Sequence, residues 1–267
     1  MRQRVSVTLL VCLLWAAPVL GEDIAVPVEW KGQQIQLTGR FQKPPGAGPF
    51  PVVITEHPCD GIYAVASPEL LWASLFQQQG YATLRLDSFT GRGISNDCGI
   101  WAVSGGDRGH DALVAAYVLA GRPDVKADRI AMIGWSHGGG GAVYAARDNP
   151  SNQPLRQQLA SRGGKLVASV SLYPGGCGRP DGYPVIVPLL VLAGANDDWS
   201  NGGASCVALA NAENNPLLTV HIYPGVYHAF DIGGLQDYYL GHRLKYDAEA
   251  TSDARARVTE FFRKYLQ

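Results

Sequence analysis

Apolar positions along this chain fall into two rhythms. Short apolar runs, each closed by a polar or glycine-rich turn, alternate with segments of helical spacing. Residues 35–41 alternate apolar and polar and predict an early strand on a sheet edge. Pro51-Val52-Val53-Ile54-Thr55 is a continuous apolar run of the buried, parallel kind, ending in the turn Glu56-His57-Pro58-Cys59-Asp60-Gly61. Residues 68–79 have helical spacing, with Leu70, Leu71, Leu75 and Phe76 on one face, and 81–86 predict the next strand. The glycine-rich stretch 87–109 is too long for a plain connector and is expected to contribute to a site. Further on, the pattern predicts a helix over 111–120 and a strand over 129–133. Buried strands over 166–173 and 188–193, a helix over 204–211, a strand over 217–223 and an amphipathic helix over 255–266 complete it. Strands alternating with helices predict an α/β chain with a mostly parallel sheet covered on both faces.

The first 21 residues stand apart. Arg2 and Arg4 precede an apolar run over 5–17, then Val19-Leu20-Gly21 and the acidic pair Glu22-Asp23. This predicts a secretory signal peptide cleaved after Gly21, since the run is short for a bilayer span. Residues 22–267 are then expected to form a single domain, exported to the periplasm or the medium. Cys12 lies inside the leader behind Val11, where a lipoprotein site needs a small residue, so lipidation is not expected.

Composition narrows the function classes. Charged residues make up 17% of the chain, with 22 Lys+Arg against 23 Asp+Glu and a formal charge of −1. No basic patch or charge block is present, which argues against a nucleic-acid partner; once the leader is removed, no membrane partner is expected either. Of five cysteines, the leader takes one and leaves Cys59, Cys98, Cys177 and Cys206. An even number in an exported chain predicts disulfides. Their spacing lacks the paired Cys and His of a zinc site, and no metal or cofactor is expected.

The chemistry centres on Gly134-Trp135-Ser136-His137-Gly138-Gly139-Gly140-Gly141, placed after the 129–133 run and before helical residues 142–146. Strand, sharp turn with one serine, then helix is a nucleophile elbow. A serine hydroxyl needs a base to take its proton and an acid to hold that base. On parallel-sheet hydrolases these follow in the order Ser, Asp or Glu, His. Gly194-Ala195-Asn196-Asp197-Asp198 follows one predicted strand and Tyr223-Pro224-Gly225-Val226-Tyr227-His228-Ala229-Phe230 follows the last. Asp197 and Asp198 compete for the acid; Asp197 is expected in that role, with Asp198 then capping the next segment. His228 is expected as the base, ahead of His221 within a strand, His242 in a tyrosine-rich loop, His110 at a helix start, and His57 and His137 in turns. Backbone N–H groups of His137 and Cys59 are the expected oxyanion donors. Phe89, Trp101, Trp199, Tyr227, Phe230, Tyr238 and Tyr239 are candidates to line an apolar pocket.

At these motifs, which spread over most of residues 22–267, the chain resembles the dienelactone hydrolase family, particularly its exported, serine-containing branch. The resembling segments include His57-Pro58-Cys59-Asp60-Gly61, Asp87-Ser88-Phe89 with Gly91-Arg92-Gly93, Gly134 through Gly139, Gly194 through Trp199, and Tyr223 through Phe230. The resemblance implies the α/β-hydrolase fold, with Ser136, Asp197 and His228 as nucleophile, acid and base and the Cys59 and His137 amides as oxyanion donors. It also implies neighbouring strands that bring Cys59 to Cys98 and Cys177 to Cys206. One departure matters: members acting on dienelactone itself use a cysteine nucleophile, so Ser136 counts against the lactone substrate while leaving ester hydrolysis intact. The expected activity is hydrolysis of small carboxylic esters through an acyl-enzyme. A peptidase, a cutinase-like polyester hydrolase and a non-catalytic binding protein on the same fold are the alternatives.

Overall fold

The computed structural model describes residues 21–64, 67–179 and 182–267. The expected leader falls on residues 1–21, of which 1–20 lie outside the described residues. Eight strands form one sheet: β1 (Glu22–Trp30), β2 (Gln33–Gln42), β3 (Phe50–Glu56), β4 (Ala82–Asp87), β5 (Val125–Trp135), β6 (Leu166–Leu172), β7 (Leu189–Gly194) and β8 (Leu218–Tyr223). Their spatial order is β1-β2-β4-β3-β5-β6-β7-β8, parallel from β4 to β8 and antiparallel at β1 and β2. The helices are α1 (Pro68–Gln78), α2 (Gly105–Ala120), α3 (His137–Ala146), α4 (Gln153–Ser161), α5 (Ala204–Glu213) and α6 (Ala248–Leu266). A separate hairpin, β9 (Gln236–Tyr239) with β10 (His242–Lys245), stands beside the last connection.

The central parallel strands β3 to β7 are buried on both faces where they pack on helices, whereas the edge strand β8 is only half-buried. On one side Val52, Ile54 and Met132 meet Leu113 of α2, Val143 of α3, Leu159 of α4 and Leu209 of α5. On the other, Val53, Ile133 and Val170 meet Trp72 and Phe76 of α1 and Val258 and Phe262 of α6.

Several expectations need correction. The strand at 35–41 belongs to β2, which is not an edge: β1 lies outside it, with Ile24, Val26 and Val28 turned to the core. The two residues joining them, Lys31 and Gly32, have φ of 52° and 76°, the left-handed pair that suits a tight hairpin. The α1 helix buries Trp72, Ala73 and Phe76, whereas Leu70 and Leu71 are 53% and 54% exposed, so its apolar face is rotated from the predicted one. The long loop is shorter than predicted because α2 starts at Gly105. Ser104 caps that start, its side chain accepting from the Asp107 N–H while the Asp107 carboxylate accepts from the Ser104 N–H. His110 therefore lies inside α2, not at its start.

Disulfides join Cys59 to Cys98 and Cys177 to Cys206, as the resemblance implied. The first ties the turn after β3 to the loop after β4. The second ties the segment after β6 to α5. Both therefore lie at the carboxyl ends of the strands, where open α/β sheets place their sites.

Candidate active site

Ser136 sits between β5 and α3 with φ 52° and ψ −112°, a strained conformation for a residue with a side chain. Its N–H donates to the Leu172 carbonyl oxygen at 2.9 Å, which fixes the turn against β6. The turn is possible only because its neighbours lack Cβ atoms. A Cβ on Gly134 would lie 2.0 Å from the Gly138 carbonyl oxygen, and one on Gly138 would lie 2.3 Å from the Glu56 carbonyl oxygen.

The loop after β8 brings His228 to this serine. Nε2 of His228 is 2.9 Å from Ser136 Oγ, and Nδ1 is 2.8 Å from Asp197 Oδ2. All three side chains are buried. With Asp197 accepting at Nδ1–H, Nε2 is the free lone pair that faces the hydroxyl. The other oxygen of Asp197 accepts from the N–H groups of Trp199 and Ser200 at 3.0 and 3.2 Å. Burial opposes its ionisation, but the bonds from His228 and Ser200 outweigh it and hold the carboxyl below its usual range. Asp198 does not cap the next segment as expected. Asp197 performs that role with its second oxygen, and Asp198 turns outward to lie 3.3 Å from His242 Nδ1.

The other histidines are engaged elsewhere. His57 Nδ1 lies 2.7 Å from the Pro58 carbonyl oxygen while Nε2 accepts from the Ser88 N–H, and burial keeps its pKa well below the ordinary value. His137 is pushed down to about 3 by burial and by Arg108, whose Nη1 is 3.3 Å from its Nδ1. His110 bonds Asn152, and the His221 ring makes a T-shaped contact with Tyr223 on β8.

Two cavities of about 410 Å³ each meet at Ser136 and share Trp199 as a wall. The first takes in His137, Trp101, Tyr144 and glycines 140, 175, 176 and 178. The second is bounded by Cys59, Asp60, Tyr173, His228 and, from the hairpin side, Leu235, Tyr239 and Leu244. The two expected oxyanion donors thus belong to residues on opposite sides of the serine. His137 opens α3, whose N-terminal dipole favours a developing anion.

Of the predicted aromatic lining, Trp101, Trp199 and Tyr239 hold their place. Phe89 and Phe230 are buried beneath the site, Tyr227 lies under Arg243, and Tyr238 faces solvent. Tyr173, Asp60 and, of the hairpin, Asp237 and Leu244 join the lining without a mark in the sequence. Tyr173 lies in the last residues of an apolar run, and the hairpin carries no apolar alternation to mark it. Among the described residues no cluster of His, Cys, Asp and Glu could hold a metal, and no helix is long and apolar enough to cross a membrane.

Residues 154–266 match the dienelactone hydrolase family. The whole architecture recurs in a dienelactone hydrolase-like promiscuous phosphotriesterase from metagenomic libraries. That likeness has a TM-score of 0.64 and 19% identity over 92% of this chain and 99% of that one. A dienelactone hydrolase from Anabaena variabilis has a TM-score of 0.57 and 21% identity over 92% and 99% of the two chains. Esterase 2 of Thermogutta terrifontis, seen phosphorylated by paraoxon, has a TM-score of 0.59 and 16% identity over 91% and 94%. At such identities these likenesses establish the fold. No curated protein matches the chain by sequence.

Proposed function

We propose that this chain, whose residues 154–266 match the dienelactone hydrolase family and whose fold is that of the α/β hydrolases, is an exported serine esterase. The single observation that carries this reading is the unbroken line from Asp197 through His228 to the Ser136 hydroxyl, with contacts of 2.8 and 2.9 Å. Ser136 Oγ attacks the ester carbonyl, and its proton passes to His228 Nε2. The oxyanion is met by the N–H groups of His137 and Cys59. The carbon–oxygen bond to the alcohol then breaks as His228 returns the proton to that oxygen. Water, deprotonated by the same imidazole, releases the acyl group. Asp197 holds the imidazole in one tautomer and balances its transient positive charge. Export is supported by the leader pattern and by two disulfides, which persist in oxidising compartments.

Hydrolysis of p-nitrophenyl acetate, butyrate and octanoate by the protein and by Ser136→Ala tests the reading. Turnover that vanishes in the variant supports it. Equal turnover in both proteins, or none in either, contradicts it.

A further inference from the structure

The two cavities differ in what they share with the proposed reaction. His228 must hand a proton to the departing alcohol oxygen, and His228 lines only the second cavity. The alcohol therefore leaves on that side. The acyl portion is left with the cavity on the His137 side, floored by glycines 140, 175 and 176.

The second cavity is also sorted by charge. Asp60 stands in its wall, and its buried Oδ1 accepts no hydrogen bond from the described residues. Among the described residues no lysine or arginine lines it. The hairpin makes this so through strand alternation. Leu244 points into the cavity, while its neighbours Arg243 and Lys245 both sit over the Tyr227 ring, at 4.6 and 5.9 Å. On β9, Asp237 and Tyr239 face inward and Tyr238 faces solvent. An apolar, aromatic chamber thus carries carboxylates without a fixed cation. Burial works against the Asp60 charge, which a cationic guest would relieve.

We propose that the two cavities divide the ester between them, and that Asp60 makes the leaving-group cavity select alcohols bearing an ammonium group. This rests on the serine-esterase reading. The chemistry is unchanged: the Ser136 Oγ–carbonyl bond forms, the ester C–O bond breaks, and the neutral hydroxyl or thiol of the cationic leaving group departs with the proton from His228.

The test compares acetylthiocholine with 3,3-dimethylbutyl thioacetate, which has the same shape and no charge, at pH 8. The expected kcat/KM favours the cationic ester by roughly tenfold, through KM. In Asp60→Asn this ratio should collapse toward one, and in Leu244→Arg, which places a cation in the cavity, it should invert. Gly140→Ala, which alters only the acyl side, should leave the ratio in place. Equal rates for the two esters in the unaltered protein, or a preference that survives Asp60→Asn, would overturn the proposal. If p-nitrophenyl acetate is hydrolysed while charge is ignored, this inference alone falls. If that ester is also untouched, the serine-esterase reading falls with it.

Discussion

The Tyr173 hydroxyl donates to Asp231 Oδ1 at 2.6 Å, while the Tyr173 ring stands edge-on to the His228 imidazole with centroids 4.8 Å apart. The other oxygen of Asp231 accepts from the indole N–H groups of Trp72 and Trp135 at 2.7 and 2.9 Å. This fully buried carboxyl thereby ties α1, the end of β5 and the segment after β6 to the loop that carries His228. Burial raises its pKa against the pull of the three donors.

Asp231→Ala strands three buried donors and is expected to cost about 3–5 kcal/mol of stability. Tyr173→Phe leaves both indole bonds in place and should cost only about 1–2 kcal/mol. Urea unfolding measures both, and equal costs for the two variants would show that the carboxyl is not the knot described.

Two glycines of the elbow should respond in opposite ways. Gly138→Ala drives a Cβ to 2.3 Å from the Glu56 carbonyl oxygen and is expected to abolish folding or activity. At Gly140, inside α3, a Cβ would meet nothing within 4 Å. Gly140→Ala should therefore stabilise by up to about 1 kcal/mol. It should also shift the acyl preference toward shorter chains. A melting curve and the p-nitrophenyl ester series read the two effects.

Asp197→Asn should lower kcat by about 10³–10⁴-fold, since the amide cannot hold His228 in the required tautomer. Asp198→Asn, at an exposed site beside His242, should change it less than about threefold. Comparable losses at both positions would contradict the division of labour seen around Asp197.

Glu69, in the first turn of α1, is buried with neither carboxyl oxygen bonded by a described residue, and burial pushes its pKa up to about 7. The folded state therefore holds a proton that the unfolded chain releases above its ordinary value of 4.5. Its contribution is complete below that value and is lost as pH rises toward 7, by up to about 1.4 kcal/mol per pH unit. The lowered pKa values of His57 and His137 act in the opposite sense over the same range. The measurement is thus a difference: Glu69→Gln should gain stability over the unaltered protein between pH 5 and 7 in denaturant titrations. A constant difference across that interval would contradict the assignment.

The site was legible in sequence because its parts are local. Ser136 is marked by the strand, glycines and helix around it, and Asp197 and His228 by their positions after successive apolar strands. The rest depends on what meets through space. β1 alternates Ile24, Val26 and Val28 as clearly as β2 does, but it begins at the acidic pair that follows the expected leader, and the pattern of the neighbouring leader masks it. Leu70 and Leu71 look like core by composition, yet α1 turns them outward because Trp72 and Phe76 fill the space beside β5 and α6. β9 is exposed at all four positions, so no periodicity announces the hairpin. Asp231 and Asp60 are polar residues whose burial is set by distant segments, and nothing in their immediate neighbourhood reveals it.

The central claim is that Ser136 is a nucleophile activated by His228. A fluorophosphonate probe tests it most directly, with the modified residue located by peptide mass mapping in the unaltered protein, Ser136→Ala and His228→Ala. One stoichiometric adduct is expected on Ser136, absent from Ser136→Ala and formed at least about 10³-fold more slowly in His228→Ala. No adduct in the unaltered protein, or an adduct on another residue that persists in Ser136→Ala, would contradict it.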